Sequence, residues 1–259
     1  MPPRVPPDPA DEAYAALMRA GEQPGALRAY LEERGHDAML LAAVLRRPVP
    51  PRLLELVSSL EPWSTDHRLL AAVVLNPRVP RALALRLVSS LLWRELAEVA
   101  QSLRVDPSVR VRAEGLLQEM LPDLRLGERI TLARLATPAV LPGLLADGEP
   151  MVVDASLTNP RLSEEQVTVA LRRDATSAVL PEAVAASRRW GERYAVRLAL
   201  VLQPRTPLGI ALGQLRALLP RDLDRVGEAE GLRPVVQIAA LRLARDARGG
   251  SLTPRESGD

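Results

Sequence analysis

The chain has 259 residues, 47% of them hydrophobic and 25% charged, a balance that excludes wholesale disorder and fits one elongated domain or two compact ones. It has no Cys, Phe or Lys, so disulfides, thiolate metal sites and a Cys nucleophile are excluded, and all 34 positive side chains are Arg, a bias expected of a GC-rich bacterial genome. The formal net charge is only +2 despite a pI near 9.6, because little titrates above neutrality and a small Arg excess lifts the pI without creating a strong field.

Residues 1–9 carry five prolines and read as a flexible, extended tail. From residue 10 to 246 a single helical domain is expected. Apolar residues recur there at three- and four-residue spacing, as in Leu83, Leu87 and Leu91, and nothing alternates like a strand. Pro-containing turns punctuate this stretch: "RRPVP" at 46–50, "NPRVP" at 76–80, "DPSV" at 106–109, "ATPAVLP" at 136–142, "NPRLS" at 159–163, "ATSAVLP" at 175–181 and "QPRTP" at 203–207. Residues 247–259, Gly/Ser-rich and charged, read as a disordered tail. No uncharged apolar run approaches the ~20 residues that span a bilayer, and the N-terminus lacks a signal-like apolar core. No membrane association and a cytoplasmic location are therefore expected.

Proline accounts for each stop. It disfavours the α conformation in the residue before it, so helices should end at Asn76, Asn159 and Gln203. Pro80 and Pro207 suit the first turn of the next helix, where a missing N–H costs nothing, and Thr206 is placed to cap that helix. Ser163 with Gln166 has the spacing of a capping box. Helices of two or three turns cannot hold themselves together in water and must bury a face against a neighbour. The expected fold is therefore all-α: an α-solenoid of short helix–Pro turn–helix repeats.

A longer repetition overlies the short one. With an offset of 127 residues and no gap, 42–121 aligns with 169–248: Arg46 falls on Arg173, Trp63 on Trp190, Pro77 on Pro204 and Pro107 on Pro234. Two of only three Trp residues coincide in that register, which reads as an internal duplication.

The phrases "VVLNPRVP…ALRLV", "ASLTNPRLSEEQV" and "LVLQPRTP" resemble the HEAT-like and leucine-rich-repeat-variant α-repeats of uncharacterised bacterial proteins, over roughly residues 40–245. The resemblance implies an α-solenoid and says little about function, since such repeats serve unrelated tasks. Some leucine-rich-variant proteins carry a Cys-bound iron–sulfur cluster, which a chain without Cys cannot hold.

Residues that could carry chemistry are few. His36 and His67 lack the companions of a metal phosphohydrolase site, and Ser64, Asp66 and His67 lie too close in sequence to be taken as a triad. There is no Gly-rich phosphate loop. Nothing matches the Asp and Trp that HEAT-like DNA glycosylases set on a basic concave surface. No catalytic residue, metal or cofactor is assigned, and a non-enzymatic protein-binding scaffold is expected.

The most singular stretch is "SRRWGERYAVR" at 187–197. If helical from Trp190, it sets Trp190, Tyr194 and Arg197 on one face. Arg188, Arg189, Trp190, Arg193, Tyr194, Arg197 and Arg205 form the candidate binding set, since Trp, Tyr and Arg dominate interface hot spots. The competing reading makes Trp190 and Tyr194 anchors between repeats, with solvated Arg heads. Against the earlier copy, Glu61 becomes Arg188, Pro62 becomes Arg189 and Asp66 becomes Arg193, so the surroundings of a retained Trp turn basic. The partner expected is another protein; the alternative is nucleic acid or another polyanion held by Arg188, Arg189, Arg193 and Arg205. Arg78, Arg161 and Arg205 each follow a turn Pro, and each could bridge turn carbonyls between units or line an anion-binding edge.

Overall fold

The computed structural model describes residues 8–21, 23–173 and 177–249. Among these there are seventeen α-helices and no strand, so the all-α expectation holds. The chain divides into two compact units, Met1–Asp123 and Leu124–Asp259.

The first unit contains α1 (Pro9–Ala20), α2 (Pro24–Arg34), α3 (Ala38–Leu45), α4 (Pro51–Ser59), α5 (His67–Val74), α6 (Arg81–Leu87), α7 (Trp93–Gln101) and α8 (Pro107–Met120). Helices α1, α3, α5 and α7 pack in succession, each on the next but one; α2 packs on α4 and α6 on α8. Helix α5 touches α3, α4, α6 and α7, and its six residues Leu69 to Val74 are all buried. That is why its sequence, "LLAAVV", has lost the one-sided pattern of a surface helix.

The second unit contains α9 (Leu126–Leu135), α10 (Leu141–Leu145), α11 (Pro150–Thr158), α12 (Glu164–Leu171), α13 (Val179–Ala186), α14 (Tyr194–Leu202), α15 (Leu208–Leu215), α16 (Pro220–Glu228) and α17 (Pro234–Gly249). Here α10, α12, α14 and α16 pack in succession, α9 packs on α11, α11 on α13, and α15 on α17. Its C-terminal core is built from residues such as Val201, Leu215, Leu223, Val226, Val236 and Ala240.

Helix boundaries repeat at the offset of 127 residues. Helices α5, α6, α7 and α8 begin at 67, 81, 93 and 107, and α14, α15, α16 and α17 begin at 194, 208, 220 and 234. Packing pairs follow suit: α3 on α5 and α6 on α8 in one unit, α12 on α14 and α15 on α17 in the other.

The turn residues act mostly as expected. Pro24, Pro51, Pro107, Pro150, Pro220 and Pro234 each open a helix. Asp8, Asp37, Asp66 and Asp106 cap helices through their carboxylates. Ser163 and Gln166 form the reciprocal capping box, with both hydrogen bonds at 3.2 Å.

Three expectations need correction. Thr206 does not cap α15: the residue preceding that helix is Pro207, and the Thr206 hydroxyl is buried without a partner. The N-terminal tail does not extend to residue 9, because Pro9 opens α1 and Asp8 Oδ1 accepts from the Ala10 N–H at 3.0 Å; residues 1–7 lie outside the described residues. Nor does a tail begin at 247, since α17 continues to Gly249 and Arg248 pairs with Asp224 at 2.6 Å, tying its last turn to α16; residues 250–259 lie outside the described residues. Part of the turn "ATSAVLP", residues 175 and 176, is outside them as well.

Candidate functional site

The stretch 188–192 is a turn, and α14 begins only at Tyr194. The face predicted from a helix starting at Trp190 therefore does not form. The chain is closed back on α13 instead, with the Trp190 and Gly191 N–H groups donating to the Ser187 carbonyl at 3.2 and 2.8 Å. Gly191 is required there: a Cβ on it would lie 2.7 Å from the Ala185 carbonyl oxygen.

Trp190 is 1% exposed, and its Nε1–H donates to the Leu157 carbonyl at 2.8 Å, in the last turn of α11. Trp63 makes the equivalent bond to the Gly35 carbonyl at the end of α2, also at 2.8 Å. Each indole thus closes a free carbonyl at a helix C-terminus while filling the core.

Most of the surrounding cations are already engaged. Arg189 donates to the Asn159 and Leu162 carbonyls at 2.9 and 3.2 Å, and its guanidinium sits 4.4 Å from the Trp190 ring centroid. Arg193 pairs with Glu164 at 2.6 Å, donates to the Arg189 carbonyl and lies 5.1 Å from the same ring. Arg197 donates to the Gly191 carbonyl at 3.2 Å. Tyr194 turns toward α16, donating its hydroxyl to the Asp222 carboxylate and accepting from the Leu219 N–H at 3.1 Å. Burial raises the Tyr194 phenol above its usual pKa, and the bond to Asp222 raises it further. Arg188 is exposed and has no hydrogen-bonded or ionic partner among the described residues. Arg205 lies in the loop after α14, where its backbone N–H donates to Gln203 Oε1 at 3.1 Å. Arg189, Trp190 and Arg193 therefore form one stack.

The residue before each turn Pro carries a role that sequence reasoning missed. Asn76, Asn159 and Gln203 are 1%, 1% and 5% exposed. Asn76 Nδ2 donates to the Leu45 and Arg47 carbonyls at 2.5 and 2.6 Å, and Asn159 Nδ2 to those of Ala133 and Ala136 at 2.8 and 3.1 Å. Gln203 Nε2 donates to the carbonyls of Leu171 and Arg173. Each amide oxygen in turn accepts from the N–H of the Arg two residues on, Arg78, Arg161 or Arg205. One buried amide thus closes its own turn and satisfies the C-terminal carbonyls of an earlier helix of its unit. The signal was present in the "NPR" and "QPR" motifs, where Asn or Gln precedes every such Pro. Arg161 also reaches the Leu135 carbonyl at 3.2 Å, one of the two roles foreseen for it.

His67 Nδ1 lies 3.0 Å from the Ser90 carbonyl, and Asp66 caps α5, so neither is directed at Ser64. Among the described residues no three His, Cys, Asp or Glu side chains gather as a metal site. Two open grooves stand out. One, of about 700 Å³, runs over α3, α5 and α7 and is crossed by the bidentate Arg46–Glu98 pair at 2.7 and 3.2 Å. The other, of about 460 Å³, lies between α15 and α17 and is mainly apolar.

Comparison of the chain with protein-family models, with curated proteins and with solved structures finds no match.

Proposed function

We propose that the protein is a non-enzymatic interaction scaffold, an α-solenoid of HEAT-like repeats that arose in part by duplication and binds another protein. What supports this most is the recurring buried amide. Asn76, Asn159 and Gln203 each donate two hydrogen bonds to carbonyls at a helix end 23–32 residues earlier and accept one from the N–H two residues on. A connection repeated at that spacing is how short helices share a core along a stack, and a stack offers long open surfaces suited to a partner. Shared helix boundaries at the 127-residue offset point the same way.

The nucleic-acid alternative has less behind it. It relied on Arg188, Arg189, Arg193 and Arg205, and the guanidinium groups of Arg189 and Arg193 already hold carbonyls or a carboxylate. Two measurements test the scaffold role. Cross-linking in extract of the native cell should return one reproducible protein ligand. Anisotropy with duplex DNA and with single-stranded RNA should show only weak binding. An affinity for either that falls by roughly 10³ or more between 50 and 200 mM salt would mean many phosphate contacts and would replace the scaffold role.

A further inference from the structure

We propose that the groove between α15 and α17 is a docking site for an amphipathic helix whose apolar stripe is flanked by carboxylates, an inference that rests on the scaffold role and names its partner's chemistry. The floor is apolar: Leu212 and Leu215 from α15, Ala239 and Leu243 from α17. Val235 and Ile238 line the same groove one helical turn apart, 54% and 66% exposed. Neither contributes to the buried core of its unit, so two β-branched side chains are held in water by the fold.

The charged residues that line this groove are both cationic. Arg216 and Arg242 line it, both exposed, and among the described residues neither has a hydrogen-bonded or ionic partner. Asp246, one turn beyond Arg242, pairs with neither. Elsewhere in the unit Arg129, Arg193 and Arg248 each hold a carboxylate. An apolar floor between two unpaired guanidiniums is complementary to Leu- or Ile-type side chains between Glu or Asp. A helix suits it better than an extended strand. The groove is walled by helices with no free backbone edge, and Val235, Ile238, Ala239 and Arg242 present the i, i+3, i+4, i+7 ridge into which a second helix packs. Helix α17, with 16 residues, offers ~24 Å of length. At the 127-residue offset the apolar floor recurs as Leu85, Val88 and Leu116, and Val111 stands for Ile238, but Ser108 stands for Val235, Arg112 for Ala239, Ser89 for Arg216 and Gly115 for Arg242. The pair of guanidiniums beside the apolar floor is therefore particular to this groove and not a by-product of the repeated packing.

The test uses the full chain and two fluorescein-labelled amphipathic peptides of about 18 residues, long enough to cover α17 as helices. Both carry Leu at i, i+3, i+4 and i+7; one has Glu on its flanks and the other Lys. The Glu peptide should bind saturably and the Lys peptide roughly tenfold more weakly or less. The double variant Val235→Ser/Ile238→Ser, at exposed positions and with an unchanged melting temperature, should weaken the Glu peptide by roughly tenfold or more. Arg216→Glu/Arg242→Glu should reverse the preference between peptides. The groove is not the site if neither peptide saturates, or if the variants leave binding unchanged. It is a homotypic interface instead if the chain dimerises and the Val235→Ser/Ile238→Ser variant is monomeric. Cross-linking separates this failure from that of the scaffold role. A chain that ignores both peptides yet cross-links to a protein ligand through α3, α5 or α7 loses the groove and keeps the scaffold; one that also cross-links to no protein loses both.

Discussion

Trp190 illustrates how one side chain can serve core and backbone together. Its ring is buried and its N–H closes a helix end, so Trp190→Ala should cost about 3–5 kcal/mol, read as a lower denaturation midpoint. An unchanged midpoint would return Trp190 to the surface. Asn159 has the same double use on a smaller frame. Asn159→Ala strands the Ala133 and Ala136 carbonyls and the Arg161 N–H, each worth about 1–3 kcal/mol when buried and unpaired. Thr206 runs the other way. Its hydroxyl is buried without a partner, and Val79 stands 127 residues earlier, in the same register as the matching Pro turns. Thr206→Val keeps the shape and removes the stranded hydroxyl, so it should raise stability by about 1 kcal/mol in a denaturant titration. These roles were only partly legible. The Trp match and the Pro stops could be read off the chain. The "NPR" and "QPR" motifs marked the amides but not their role, because the acceptors are helix-end carbonyls 23–32 residues away that no local pattern identifies.

Helix starts are decided within four residues, which is why most were visible in advance. Asp106 caps α8, accepting from the Ser108 N–H at 2.8 Å and from its hydroxyl at 2.5 Å. The bond from the Ser108 side chain is the main cause that lowers the Asp106 pKa below 3.8, aided by the backbone bond. A depressed carboxylate pKa stabilises the fold above its unfolded value, and that contribution is lost as pH falls through the folded value. A carbon-detected titration should therefore place the Asp106 midpoint below 3.8, and Ser108→Ala should move it back up. Closer packing is decided by pairs of helices. Gly227 on α16 faces Leu241 on α17, and a Cβ there would lie 2.4 Å from the Leu241 side chain. The glycine in "DRVGEAE" looks like a weak point for a helix, yet any side chain there would collide with Leu241 of α17.

Each compact unit carries its own buried residues and its own amide connections. Asn76 bonds within Met1–Asp123, and Asn159 and Gln203 bond within Leu124–Asp259. A fragment of residues 1–123 should therefore fold alone, with helical circular dichroism and a cooperative melt. A fragment that stays unfolded would mean that the core visible within the unit is not sufficient.

Composition, Pro placement and the three- to four-residue apolar period determined the all-α class and most helix boundaries, because backbone restriction by Pro, capping and helical periodicity act over a few residues. The 127-residue register was likewise readable in the chain, since matching Trp, Pro and Leu positions need no coordinates. The fate of the arginines was not. Whether a guanidinium is free depends on which carbonyl or carboxylate packing brings near it. Arg189 and Arg193 find theirs 27–30 and 29 residues back, while Arg188, Arg216 and Arg242 find none among the described residues. In a chain with 34 positive side chains, all Arg, type cannot distinguish structural cations from available ones. Only the packing of helix on helix separates them, and it places the unpaired Arg216 and Arg242 beside the exposed Val235 and Ile238.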